Sequence, residues 1–318
     1  GQSAVVRMSA KKVVALAGGV GGAKLVYGLA QMLPAGQLTI IGNVADDFTL
    51  YGLHISPDLD TVMYTLAGIA NPETGWGIAG DSWQMLDMLK RYGEEGWFRL
   101  GDRDVATHLL RTYWLAQGVS LTEVTARLAE ALGVRQHLLP VTDDPLATMV
   151  DTVEYGILPF QEYFVRRRWQ PIARRVWFEG AETARMTSAV GQALAEADFV
   201  VICPSNPVLS IAPILAVGGV REALQQRAGR CVAVSPFIGG QAVKGPAAKL
   251  MPELGLDISV NGLWSFYEGL IDGLVVDVAD TPQIVGEHKT ILVTYTLMKT
   301  DDDKVRLAKE ILDWMEIL

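Results

Sequence analysis

Lys12-Val-Val-Ala-Leu-Ala-Gly-Gly-Val-Gly-Gly-Ala-Lys24 decides the fold class. Its first half is a short apolar run, the pattern of a strand buried on both faces. Glycines then break the run, and residues 23–33 carry apolar side chains at helical spacing. Residues 38–43 form a second apolar run. Strand, glycine loop, helix, strand is the opening of a βαβ unit, so the two strands are expected to pair in parallel.

Outward from this unit the pattern changes and then returns. Residues 59–69, 81–92 and 104–117 have helical periodicity, and Ser120-Leu-Thr-Glu123 reads as a capping box opening a helix that Gly133 stops. Residues 57–133 are therefore expected to form a helical insertion. Residues 134–177 hold several strand-like pieces. Residues 184–197 and 208–226 read as helices, and 198–203, 230–235, 272–277 and 290–294 as strands. An amphipathic helix over 301–318 closes the chain. The expected fold is α/β: a Rossmann-like, mostly parallel sheet with helices on both faces and a helical insertion. No linker or repeat interrupts residues 12–318, which read as a single domain. Residues 1–10 are short and mixed and read as a flexible leader, with Met8 a candidate native start.

Composition narrows the function. Of 318 residues, 50% are hydrophobic and 20% charged, and 27 Lys and Arg against 36 Asp and Glu give a net charge of −9. A general nucleic-acid binder needs the opposite sign. Phosphate, if bound, must be met locally by backbone N–H groups, a few cations or a metal ion. The two cysteines, Cys203 and Cys231, have no zinc spacing, and the apolar stretch 199–220 is interrupted by prolines. A soluble, cytoplasmic protein with no membrane partner is expected.

Gly18, Gly19, Gly21 and Gly22, with Lys24 behind them, suit a phosphate site, because backbone N–H groups at a helix start can approach an anion closely. A tight strand-to-helix turn is the plainer reading. The loop is not a dinucleotide fingerprint, since Lys24 occupies its third glycine position and strand two ends in Asn43 rather than an acid. Nor is it a P-loop, because Leu25 stands where a Ser or Thr would hold magnesium. Asp46, Asp47, Asp58 and Asp60 follow the second strand and could gather a hard cation; helix and turn capping is the alternative for each. Two later strands end in Pro204-Ser205-Asn206-Pro207 and Ser235-Pro-Phe-Ile-Gly239-Gly240, expected on the same sheet edge. Trp76, Trp83 and Trp97 are candidates for stacking on a flat ring, with core packing the default.

GGVGGAK, NVADD, SPDLDTVMYTLAG, GWGI, LGDRDVATHLLRT, LPVTDDP, FQEYFV, PSNPVLSIAPIL and SPFIGGQAVKGPAAKLM occur in this order between Gly18 and Met251. Together they resemble the 2-phospho-L-lactate transferase family, CofD or FbiA, of coenzyme F-420 biosynthesis. The resemblance implies joining a guanylylated three-carbon acid to the deazaflavin Fo with release of GMP, dependence on Mg2+, and a homodimer. It implies that the guanosine diphosphate moiety lies across Gly18, Gly19, Gly21, Gly22 and Lys24, with Ser205, Asn206, Ser235, Gly239 and Gly240. Asp46 matches the position expected to hold metal, with Asp47 beside it. Asp60 and Arg99 match positions expected to contact Fo, and the insertion, with Trp76 and Trp97, would form the Fo pocket. Asp46 and Asp60 are the catalytic candidates, with Asp60 open between base, metal ligand and positioning group. A nucleotide-sugar-binding regulator of the YvcK type is the alternative from another class.

Overall fold

β1 (Val13–Ala17), buried at every position, runs parallel to β2 (Leu38–Gly42), and α1 (Gly19–Met32) crosses between them. The computed structural model describes residues 11–283 and 290–318. The expectation for residues 1–10 lies outside the described residues. After β2 a short hairpin, β3 (Phe48–Leu50) and β4 (Leu53–Ile55), sends the chain out and back. Helices α2 (Pro57–Ala67), α3 (Gln84–Arg91), α4 (Asp102–Ala116) and α5 (Leu121–Ala131) follow, and β5 (His137–Pro140) then pairs with β2.

Three strands next form a separate antiparallel sheet: β6 (Ala147–Thr152) between β7 (Gly156–Pro159) and β8 (Ala173–Glu179). α6 (Ser188–Glu196), β9 (Phe199–Ile202), α7 (Ala212–Ala216), α8 (Val220–Gln226) and β10 (Arg230–Val234) return the chain to the main sheet. A hairpin, β11 (Phe237–Ile238) and β12 (Gln241–Ala242), precedes α9 (Ala247–Glu253) and α10 (Val260–Phe266). β13 (Gly273–Asp277), β14 (Ile291–Thr294) and α11 (Asp301–Ile317) complete the order.

The main sheet has seven strands in the order β14-β13-β10-β9-β1-β2-β5, every pair parallel. β1, β9 and β13 are buried throughout. Successive side chains point to opposite faces, so both faces are covered, as a parallel sheet requires. All carboxyl ends lie on one edge.

The structure departs from the periodicity in four places. α1 begins at Gly19, so most of the glycine loop is helix. The helix expected over 184–197 starts only at Ser188, where Thr187 caps it. The stretch 208–226 is split: a wide turn at Pro207–Ile211, then α7, then a break at Gly219, which has φ 97°, before α8. The Ser120 hydroxyl accepts from the Glu123 N–H, but Glu123 pairs with Arg127 instead of closing the box. The complete capping box is Thr300 with Asp303, at the start of α11.

Candidate active site

From β1 the chain moves to β2 and β5 on one side, then returns through β9 on the other. The carboxyl ends of β1 and β9 are thus the switch point where open α/β sheets form a ligand crevice. Gly18 ends β1, and its N–H donates to Ser205 Oγ beyond β9 (3.1 Å). A Cβ on Gly21 would lie 2.6 Å from the Pro204 carbonyl oxygen, one on Gly22 2.2 Å from Ser205 Oγ, and one on Gly18 2.3 Å from Asp58 Oδ2. Close packing therefore demands three of the four glycines. Gly19 adopts φ 68°, the fourth reason for glycine here. No side chain caps α1, and its first turn holds no acid, so its leading N–H groups present positive potential to the crevice.

The four aspartates fold into three settings. Asp46 and Asp58 come together: the Asp58 N–H donates to Asp46 Oδ2 (2.8 Å), and Asn43 Nδ2 donates to Asp58 Oδ2 (3.0 Å) and lies 3.4 Å from Asp46 Oδ1. Ser210 Oγ also donates to Asp58 Oδ2 (3.1 Å). Burial, then the charges of Asp58 and Asp47, push the Asp46 carboxyl well above the usual range. Burial also pushes Asp58 up, against the hydrogen bonds from Asn43 and Ser210. Asp47 turns to the β3–β4 hairpin and the start of α2, where His54 Nε2 (2.9 Å) and Ser56 Oγ (2.7 Å) meet its Oδ2. Its Oδ1 is buried without a hydrogen-bond partner.

Asp60 lies apart from both. It is buried and ion-paired with Arg111, which is 1% exposed and also donates to the His54 carbonyl (3.2 Å). His108 sits between Asp60 Oδ2 (3.6 Å from Nδ1) and Asp104 Oδ2 (3.2 Å from Nε2). Ligand atoms of Asp60, Asp104 and His108 lie within 4.8 Å of one another, but the Arg111 guanidinium already supplies the cation there.

Trp76 and Arg99 line one cleft of about 360 Å³ with Asn71, Thr74, Trp83 and Asp104. The Arg99 guanidinium lies 4.3 Å over the Trp83 ring. Trp97 packs instead on Phe48 and Phe98 and is not part of the lining. The cleft shares a wall with the crevice, since a Cβ on Gly75 would meet Val20 of α1 at 2.3 Å. Lys244 Nζ donates to the Thr74 carbonyl (2.5 Å) on the same rim. Burial and the repulsion of Lys244 and Lys304 push Lys24 down, and among the described residues no carboxylate pairs with it.

The third loop is more self-contained than its sequence suggests. Ser235 Oγ accepts the Phe237 N–H (3.1 Å). Gly239 (φ 61°) and Gly240 (φ 76°) are the two-residue turn of the β11–β12 hairpin, which requires positive φ at both. Their N–H groups are directed to the Asp280 carboxylate. Asn206 Oδ1 accepts from the Val208 and Leu209 N–H groups (both 3.0 Å), while its Nδ2 is shielded with no partner.

Of the residues singled out in the sequence, Gly18, Gly19, Gly21, Gly22, Ser205, Asn206 and Asp46 meet at one crevice, and Trp76 and Arg99 in the adjoining cleft. Asp47 and Asp60 turn elsewhere. Asp58 and Trp83 had been named only as members of the acidic cluster and of the tryptophan set, and Asn43, Ser210 and Asp104 were not singled out as site residues. Asp104, His108 and Arg111 were recoverable, since their spacing puts them on one face of a helix.

Fold and site define a Rossmann-like α/β protein with an acidic crevice at the switch point of its sheet. The chain belongs to the 2-phospho-L-lactate transferase CofD family, whose profile matches residues 13–312. It is 38% identical over 305 residues to the 2-phospho-L-lactate transferase of Methanocaldococcus jannaschii, covering 95% of this chain and 97% of that protein. The corresponding protein of Methanospirillum hungatei is 41% identical over 297 residues, 93% and 98% of the two chains. The phosphoenolpyruvate transferase of Streptomyces coelicolor is 40% identical over 313 residues, 96% and 98% of the two. A solved member of the UPF0052 family from Bacillus halodurans superposes with a TM-score of 0.62 at 17% identity, over 95% of this chain and 99% of that one, a likeness of fold. The chain is therefore a transferase of the CofD type. Among the described residues no helix is long and apolar enough to cross a membrane.

Proposed function

We propose that the protein transfers a phospho-three-carbon-acid group from its guanosine diphosphate derivative to the terminal hydroxyl of Fo, releasing GMP. The observation that carries this reading is the shared wall between an anion-ready crevice and a tryptophan-lined cleft, one for each substrate. The first turn of α1, Ser205 and Asn206 hold the donor diphosphate, with Lys24 and Lys244 as neighbouring cations. Asp46 and Asp58 offer hard oxygen donors held close together with no cationic side chain among their hydrogen-bond partners, which fits Mg2+. When bound there, the ion would neutralise charge on the diphosphate and the leaving group.

The fold's contribution is positional. Phosphoryl transfer requires alignment and charge neutralisation more than covalent catalysis. The Fo hydroxyl oxygen forms a bond to the distal phosphorus as its proton is released to water, the bond to the bridging oxygen breaks, and GMP leaves with that electron pair. Trp76, Trp83 and Arg99 hold the deazaflavin ring. Asp60, buried against Arg111, braces the wall and does not touch substrate. The reading includes a cytoplasmic homodimer, and light scattering of the purified protein tests the dimer.

The decisive experiment supplies Fo, Mg2+ and each guanylylated acid in turn (lactate, enolpyruvate, glycerate) and weighs the product. A mass increase by one phosphoacid, with stoichiometric GMP, is the expected result and identifies the donor. No product with any of the three overturns the proposal.

A further inference from the structure

The tryptophan-lined cleft contains two carboxylates, and they differ in what remains of them. Asp81 is consumed by backbone: its oxygens accept from the N–H groups of Ser82 (2.8 Å), Arg103 (2.8 Å) and Asp104 (3.1 Å). It is a cap for α4. Asp104 is held differently. Tyr64 OH donates to its Oδ1 (2.6 Å), and His108 Nε2 lies 3.2 Å from its Oδ2. Both holding groups are deeper than the carboxylate they hold: Tyr64 is 1% and the His108 side chain 2% exposed, against 13% for the Asp104 side chain. The grip comes from the core side, so the remaining edge of Asp104 is the one that lines the cleft.

The groups behind Asp104 fix what it can do. Arg111 Nη1 lies 3.4 Å from His108 Nδ1. An imidazole accepting from Arg111 at Nδ1 carries its hydrogen on Nε2, which lies 3.2 Å from Asp104 Oδ2, within ion-pair distance but without the alignment of a hydrogen bond. Arg111 is itself neutralised by Asp60. Burial pushes the Asp104 carboxyl up, but His108, Tyr64 and Arg111 together hold it below the usual carboxylate range. Asp104 therefore enters the cleft as an oriented, acceptor-only group between aromatic walls. A flat ring sandwiched there needs a polar anchor at its edge. An imide-type N–H is the complementary donor.

Position agrees with chemistry. Tyr64 and Asp58 are six residues apart on α2, roughly 9 Å along the helix axis at 1.5 Å per residue. A ring anchored at Asp104 thus lies about one short polyol chain from the Asp46–Asp58 pair. We propose that Asp104 is the specificity residue for the acceptor substrate, taking a hydrogen bond from a ring N–H, and that His108, Asp60 and Arg111 are positioning residues that hold it. This rests on the assignment of the cleft to the deazaflavin ring.

The test compares Fo with an analogue methylated at the ring imide nitrogen, binding being followed by deazaflavin fluorescence. Wild-type protein is expected to bind the methylated ring about ten- to hundredfold more weakly, the loss of one hydrogen bond to a charged acceptor. In Asp104→Ala, Fo itself binds that much more weakly and the discrimination between the two rings largely disappears. Asp104→Asn, which keeps an acceptor without the charge and preserves the buried volume, gives an intermediate discrimination and carries the comparison if the alanine variant does not fold. GDP affinity is unchanged in both. Equal discrimination by wild type and variants overturns the proposal for Asp104 alone. Failure of wild-type protein to bind either ring overturns the functional reading and this proposal with it.

Discussion

The Asp46–Asp58 pair and the Asp60–Arg111 network lie along one helix start, yet they solve opposite problems. At Asp60 a buried carboxylate faces a buried guanidinium, with His108 and Asp104 extending the chain of contacts. At Asp46 a buried carboxyl faces a second carboxyl, and the pair is held by Asn43, Ser210, a backbone N–H and a hydrogen bond between the two acids. The Arg111 network braces structure, although burial still leaves the Asp60 carboxyl above its usual range. A carboxyl pair raised by burial and by its neighbours' charges keeps a proton that a bound cation displaces, so metal binding is expected there.

The largest effect that would sharpen this contrast is on activity. Asp46→Asn and Asp58→Asn are each expected to lower GMP release at least about a thousandfold, on the order of losing a central electrostatic group. Near-normal turnover by Asp58→Asn, measured by chromatography of released GMP, would break the assignment of the pair. The mirror experiment is at Arg111. Arg111→Met leaves Asp60 as an unpaired buried charge and should destabilise the fold by about 3–5 kcal/mol in denaturant unfolding. Adding Asp60→Leu should return much of that loss.

A smaller effect is the pH dependence of stability without metal. The Asp46 and Asp58 carboxyls are raised, so the folded state binds protons more tightly than the unfolded chain. Their contribution is present below the unfolded carboxylate pKa and is lost as pH rises through the raised values. Melting temperature in EDTA should therefore fall as pH rises above about 4. Saturating Mg2+ should flatten that slope, and Asp46→Asn should remove most of it. A slope unchanged by Asp46→Asn would show that the pair is not its source. The smallest effect is at the β11–β12 turn. Gly240→Ala places a side chain at φ 76° and should cost roughly 1–2 kcal/mol of stability. Because the Gly240 N–H is directed to Asp280, the KM for the guanylylated donor should change little. A tenfold rise would make this turn part of the nucleotide site after all.

Much of the fold was legible because its cause is local. Buried parallel strands read as continuous apolar runs, and residues 13–17 and 199–202 were unmistakable. Their order along the sheet was not, because pairing is a long-range choice. The glycine loop reads as a phosphate site, with a tight strand-to-helix turn as the plainer reading, and the structure adds close packing as a demand for glycine. Phosphate binding and close packing both call for glycine, and only the approach of Pro204, Ser205 and Asp58 reveals the second.

The sequence by itself determined that this is an α/β protein with a mostly parallel main sheet, that the loops singled out follow strands of that sheet, and, through the order of its motifs, the family to which it belongs. Tertiary structure alone decided which acids act together. Asp46 and Asp47 are adjacent in the chain, but the turn between Val44 and Asp47, closed by the Asp47 N–H on the Val44 carbonyl (3.1 Å), sends their side chains to different partners. The β3–β4 hairpin folds the start of α2 back over the first of them. In the same way Trp83, not Trp97, reached the cleft, and Asp104 became its oriented acceptor because Tyr64 and His108 come from two different helices. Tyr64, brought from another helix, is set by packing across distant segments that no local pattern encodes, whereas His108 shares a helix face with Asp104.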